Sequence, residues 1–264
     1  MSQSPTPVVS PPQVHRQPVS SSQTVSWLIG TAAGASLLVL TVLGLFVTGP
    51  DEVQGEVVRL LYVHPATAWV AYVAFGVTSL AGLMWLWPRT RRPMWDHIAG
   101  ASASIGVVFT GITLMLGSIW GRATWGYWWA WDARVTSTLL LFLLYAGVVA
   151  LRHVPSSREA RARRTAIGAL IAFLDVPLVH FSVKWWKTLH QEASVLQPSG
   201  VQVRGLQLFT MLFSFFSFTL VYVWLMIQRT RLARWEDEME SGGLDAAIVA
   251  RQAEGSTRLV GANS

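Results

Sequence analysis

Six long apolar runs set the pattern of this chain. They cover roughly residues 27–48, 60–87, 98–120, 135–151, 165–183 and 205–228. Each comes close to the ~20 residues an α-helix needs to cross a bilayer core. Lipid offers no partner to backbone N–H and C=O groups, so runs of this length predict helices rather than strands or loops. The fifth run is interrupted by Asp175 and Pro177, which predict either a functional kink or a helix end just below the surface. Polar segments lie on both sides. Residues 1–26, rich in Ser, Pro, Gln and Val, lack the charged start and small-residue cleavage site of a signal peptide and read as a disordered tail. Residues 229–264 read as a second polar tail, and no internal repeat is evident. The predicted fold class is an all-α integral membrane protein: one domain of six transmembrane helices over residues 27–228, between two tails.

Composition agrees with that class. Of 264 residues, 52% are hydrophobic and 13% charged. The absence of cysteine excludes disulfides, thiolate metal sites and covalent attachment of a cofactor through a thiol of this chain. The formal charge of +6 does not point to nucleic acid, because the basic residues sit in short loops, where they signal topology. Fourteen of the 20 Lys and Arg fall on one side, in the N-terminal tail, at 89–92, at 152–164 and in the C-terminal tail. Arg59, Arg122, Arg134, Lys184, Lys187 and Arg204 fall on the other. The positive-inside rule then places both termini in the cytoplasm and the segment after the third run outside.

That outward segment, the loop predicted over 120–134, carries the densest chemistry of the chain. Trp120, Trp125, Trp128, Trp129 and Trp131 put five tryptophans into twelve residues, followed by Asp132. A flat aromatic surface beside a membrane suits a flat, partly apolar ligand, of which haem is the obvious candidate. The topology also sorts the histidines. His97 and His153 fall at cytoplasmic helix ends and His15 in a tail, whereas His64, His180 and His190 fall on the face of the tryptophans. Neutral imidazole ligates haem iron, and a bis-His site needs two rings on opposite faces of the macrocycle. His64 and His180, from different helices, are the candidate axial ligands, and the sequence leaves open whether His190 substitutes for one. Arg122, Lys184, Lys187 and Arg204 are cations available to the propionates.

Each feature also has a structural reading. Interfacial tryptophans form membrane belts, which accounts for Trp27, Trp85, Trp87 and Trp224 but poorly for five in one segment. A histidine at a helix end is commonly a satisfied interfacial residue. Asp132 is placed to N-cap the fourth helix, a role compatible with a site role. The arginines of 158–164 read as a solvated topology signal.

The motif Trp125-Gly-Tyr-Trp128-Trp129-Ala-Trp131-Asp132 resembles the WGxxWxWD signature of the haem-handling superfamily of cytochrome c maturation. The continuation Ala133-Arg-Val-Thr-Ser-Thr-Leu and the stretch Val179-His180-Phe-Ser-Val-Lys-Trp185-Trp186-Lys-Thr-Leu-His190-Gln are similar to the same family. Six spans and modest length resemble its heme exporter protein C branch more than the larger synthase-type members. The resemblance covers about 27–228. It implies six helices, with His64 and His180 as axial ligands and Trp125, Trp129, Trp131 and Asp132 in a haem-facing loop outside the inner membrane. It also implies non-covalent haem b, a haem chaperone that receives it, and association with ABC-type transporter subunits that hydrolyse ATP. Two departures stand out. Where the family commonly reads His-Val-Pro-Ala-Ala-Trp, this chain has His64-Pro65-Ala66-Thr67-Ala68-Trp69. Pro65 disfavours helical geometry at the residue before it, so His64 is expected just outside the helix. Lys184 stands where an acidic residue is common.

The function expected on this reading is haem binding and presentation to a chaperone during c-type cytochrome biogenesis, without bond-making catalysis by this chain. Two alternatives are a haem-attachment synthase subunit and a haem-containing electron-transfer subunit. Synthase subunits are larger, with further histidines. Electron carriers stack bis-His pairs within the bundle, and no histidine here falls at mid-membrane. An ordinary permease would need a polar path that the spans, Asp175 apart, do not offer.

Overall fold

In the computed structural model, residues 21–190 and 203–261 are described, with side chains from 23 to 190 and from 203 to 243. The sequence readings for 1–20, including His15, for 191–202 and for 262–264 lie outside those residues. The chain folds as α1 (Ser21–Val42), α2 (His64–Leu86), α3 (Pro93–Trp125), α4 (Ala133–Arg152), α5 (Arg158–Phe173), α6 (Asp175–Trp185) and α7 (Gly205–Gly261). A wide π turn, Leu43–Val47, extends α1, and a 3-10 segment, Glu56–Tyr62, leads into α2. Six stretches are long and apolar enough to cross a membrane: Gln23–Val47, Glu56–Leu86, Pro93–Trp125, Ala133–Arg152, Arg158–Trp185 and Gly205–Gly243. The apolar runs thus become helices, with boundaries that differ for physical reasons.

The fifth span is two helices. Pro177 has no N–H to give the carbonyl four residues earlier and its ring crowds that carbonyl, which belongs to Phe173. The helix breaks there, at Leu174. Asp175 starts the second piece, buried, with neither carboxylate oxygen partnered among the described residues. At the two ends of the chain, helix extends into the segments read as tails: α1 begins at Ser21, and α7 runs on through residues 229–261.

The core uses small residues for close approach, as membrane helices do when apolar burial alone does not drive association. Ala74, Ala103 and Ala169 are fully buried. A Cβ on Gly106 would come within 2.5 Å of the Phe75 ring, which stacks on Tyr145 with centroids 3.7 Å apart. A Cβ on Gly82 would meet the Ala166 Cα at 3.0 Å. Hydroxyls buried among these contacts are satisfied across helices: Thr113 donates to Thr67 at 2.9 Å, and Ser102 pairs with Tyr222 at 2.8 Å.

The arginine-rich end of the bundle is tied by a charge network. Asp96 on α3 accepts from Arg152 on α4 and Arg161 on α5, at 2.5 and 3.3 Å. Arg161 also reaches Asp237 on α7 at 3.0 Å, and Asp237 contacts His97 at 2.6 Å. Arg161 is therefore not a solvated topology charge. It bridges two carboxylates with its side chain 19% exposed.

Candidate functional site

The site lies at the opposite end and begins with two helix termini. α3 does not stop at Trp120. The sequence after it, Gly121-Arg-Ala-Thr-Trp125, is polar enough to look like loop, yet it keeps helical hydrogen bonding, and the helix ends only where Gly126 takes the left-handed conformation at φ +86°. That conformation suits a residue without Cβ at a helix C-terminus. Arg122 reaches forward to the Gly126 carbonyl. Trp120 and Trp125 are thus helical, and only 126–132 form the connection. α4 then starts at the N-cap Asp132, whose Oδ1 accepts from the Val135 amide at 2.8 Å.

The other carboxylate oxygen of Asp132 reaches the chain after α6. It accepts from His190 Nδ1 at 2.9 Å and from the Leu189 amide at 3.2 Å. Burial pushes the Asp132 carboxyl up, but the hydrogen bonds from Val135 and His190, with that from Leu189, hold it below its ordinary value of 3.8. Two residues on, the Arg134 guanidinium donates to the His180 carbonyl at 3.0 Å. The first turn of α4 therefore fastens both α6 and the segment after it.

The aromatic rings divide between wall and surface. His64 packs edge-on against Trp120, with centroids 5.7 Å apart, and Trp120 Nε1 donates to Gln54 at 3.1 Å. Gly117 leaves room for this imidazole: a Cβ there would stand 3.1 Å from His64 Cε1. Trp125 packs against His190 at 4.8 Å, and Trp129 against Trp131 at 5.5 Å. Trp128 and Trp131 are 62% and 75% exposed. On α6 the rings of Phe181 and Trp185 stack at 5.5 Å, and both are exposed.

Of the residues singled out by sequence, His64, Trp120, Trp125, Trp129, Trp131, Asp132 and His180 share this end, with Trp128 projecting from it. His64 is the first residue of α2 rather than a residue outside it. Pro65 is tolerated because N–H groups in a first helical turn have no intrahelical partner to lose. His64 lies within electrostatic range of His190 and Arg134. Among the described residues no ring contact joins His64 to His180, whose own neighbour is Phe181 at 4.9 Å. The tie between Asp132 and His190 is the element that sequence reasoning did not supply. The signal available to it was a histidine on the same face with no assigned role.

Buried polar atoms at this end without a hydrogen-bond partner among the described residues include His64 Nδ1, Trp129 Nε1 and Arg134 Nε. Among the described residues no three metal-ligating side chains converge. An imidazole with an unpartnered buried nitrogen, at the same end as exposed indoles, suits a flat, partly apolar ligand.

The family model for heme exporter protein C matches residues 10–243. Heme exporter protein C of Bradyrhizobium diazoefficiens is 37% identical over 215 residues, covering 80% of this chain and 79% of its own length. The Escherichia coli K12 protein of the same name is 41% identical over 183 residues, 67% of this chain and 73% of that one. A ccmC-like mitochondrial protein of cytochrome c biosynthesis from Arabidopsis thaliana is 32% identical over 207 residues, 78% of this chain and 75% of its own.

Proposed function

The chain belongs to the heme exporter protein C family, and from that premise we propose that it holds haem b non-covalently at the extracytoplasmic face of the inner membrane and presents it to a haem chaperone during c-type cytochrome biogenesis. Both termini lie in the cytoplasm on this reading, and ABC-type transporter subunits of the same system are the membrane partners. The protein binds and hands over haem without making bonds itself. The single observation that carries the proposal is the presence of an imidazole with an unpartnered buried nitrogen, His64, and exposed indoles at one end of the bundle.

His64 supplies one iron ligand, and His180 is the second ligand from the sequence reading. Trp120, Trp125 and Trp129 give the apolar wall, and Trp128 and Trp131 give the exposed surface on which haem and chaperone meet. Haem brings the iron and the macrocycle. The protein fixes the imidazoles, keeps water from the ring through its indoles, and offers cations to the carboxylates.

A specific observation favours a second reading, with His190 in place of His180. Metal-ligating histidines usually donate their other N–H to a carboxylate, which fixes the tautomer and raises ligand basicity. His190 has that arrangement through Asp132. Its ring is set against Trp125, and it lies within electrostatic range of His64. His180 is exposed, and among the described residues its ring contacts Phe181 while its backbone carbonyl accepts from Arg134.

The test is the absorption spectrum of protein purified in mild detergent with its haem. His64→Ala shifts the Soret and α bands and weakens haem retention. Of His180→Ala and His190→Ala, the one that produces the same change identifies the second ligand. His97→Ala and His153→Ala leave the spectrum unchanged. Haem lost in those two variants and kept in the three outer ones would overturn the proposal.

A further inference from the structure

A groove opens at the arginine-rich end, away from the tryptophans and independent of the haem reading. It has a volume of about 540 Å³ and lies between α1, α3 and α7. Val25, Ile98, Met226 and Ile227 form its apolar part, and Arg231 and Arg234 stand at its polar end. The order follows from α7. Ile227, Arg231 and Arg234 are spaced i, i+4 and i+7, so they lie in one stripe, and the stripe changes from apolar to cationic within two turns. The change coincides with the level at which Ser26 on α1 donates to Gln228 on α7 at 2.9 Å, where the apolar run of α7 ends. Trp27, 76% exposed, and Trp235, 63% exposed, mark the interfacial level at which indoles settle in a bilayer.

The arginines at this end differ in partnership. Arg91, Arg152, Arg158, Arg161 and Arg163 each pair with a carboxylate. Arg234 is exposed and has no ion-pair partner among the described residues. A cation facing the headgroup layer above an apolar slot is complementary to one class of molecule found at that depth, a lipid with a negative headgroup and acyl chains.

We propose that this groove binds an anionic phospholipid, its phosphate on Arg231 and Arg234 and an acyl chain along Val25, Ile98, Met226 and Ile227. The lipid then lies along the groove where α1, α3 and α7 meet.

The full-length protein is equilibrated in detergent with equal amounts of phosphatidylglycerol and phosphatidylcholine, stripped of loose lipid, and its retained lipid counted by native mass spectrometry. Phosphatidylglycerol is retained preferentially. One juxtamembrane arginine is worth roughly a factor of five in affinity for anionic lipid, so Arg234→Gln weakens retention about fivefold and Arg231→Gln/Arg234→Gln roughly thirty-fold. Arg231→Lys/Arg234→Lys keeps the preference, because the charge remains. Ile227→Trp fills the slot and lowers retention of both lipids with the arginines intact. Arg234 is exposed, so its single variant folds and gives a reading even if the double variant does not. Equal retention of the two lipids by the wild type, or a preference unchanged in Arg234→Gln, overturns the proposal. So does displacement of the bound lipid by millimolar inorganic phosphate, which would make this a site for the free anion.

Discussion

Asp132 and His190, 58 residues apart in sequence, are joined by a 2.9 Å hydrogen bond, while the same carboxylate caps α4 through the Val135 amide. One side chain thus performs two tasks that substitution can separate. Asp132→Ala removes both and costs about 1 kcal/mol for the lost cap alone. Asp132→Asn keeps an oxygen for Val135 but loses the charge facing His190. Thermal unfolding in detergent should rank Ala below Asn, with both losing haem more readily than the wild type.

The same pair sets a pH dependence. The folded Asp132 carboxyl lies below its ordinary 3.8, so its stabilisation is complete above that value and is lost as pH falls through the lower folded one. The stability gap between wild type and Asp132→Asn should therefore stay level in its Asp132 contribution from neutral pH down to about pH 5 and close below pH 3.8. Unfolding midpoints measured against pH give the answer. A gap that widens below pH 3.8 would contradict the assignment.

Gly117 is a sensitive position for ligation although it carries no ligating atom. A Cβ there stands 3.1 Å from the His64 ring, a contact tight enough to displace the imidazole by tenths of an ångström. Gly117→Ala should shift the haem spectrum with the fold intact, and Gly117→Val should shift it further and weaken retention. Spectra identical to the wild type for both would mean that His64 does not hold iron in this orientation.

The exposed indoles give a graded loss. Trp131 is 75% exposed and packs on Trp129, so its removal leaves the core untouched. An aromatic contact is worth about 0.5–1.5 kcal/mol beyond area burial, so Trp131→Ala should weaken haem retention or chaperone loading roughly two- to twelve-fold. Its unfolding midpoint should not move. Full retention with normal cytochrome c maturation would reduce the segment to a membrane belt.

At the other end the expected effect is on stability. Removing Asp96 leaves Arg152 and Arg161 short of a carboxylate in a largely buried network. Breaking a buried pair in this way costs about 3–5 kcal/mol. Asp96→Ala should fall far in thermal midpoint, while haem spectra of the surviving folded protein match the wild type.

Much of the architecture was legible because hydropathy reports burial in lipid directly. Six apolar runs became six spans, and Asp132 before Ala133-Arg134-Val135 announced a cap that the structure contains. Boundaries were less legible. Gly121 to Thr124 look like loop because their side chains are small or polar, but a helix beyond the bilayer needs only its own hydrogen bonds, and α3 runs on to Gly126. Long-range pairing was not legible at all. Nothing local to His190 names Asp132 as its partner, and nothing in the run 158–164 says that Arg161 turns inward to two carboxylates while Arg163 pairs at the surface with Glu159.

The fastening of α6 and its following segment by the first turn of α4 sets an order of events during synthesis. The tryptophan segment emerges from the ribosome early, yet its carboxylate anchor has no mate until residues 189 and 190 have followed. A nascent chain halted before Leu189 should therefore leave the backbone of 126–132 without its tether to the chain after α6 and be cut faster there by protease, although the side chains of Tyr127, Trp128 and Trp131 are exposed in either case. One released past His190 should resist. The proposed haem site would then be completed only late in synthesis, once Leu189 and His190 reach Asp132.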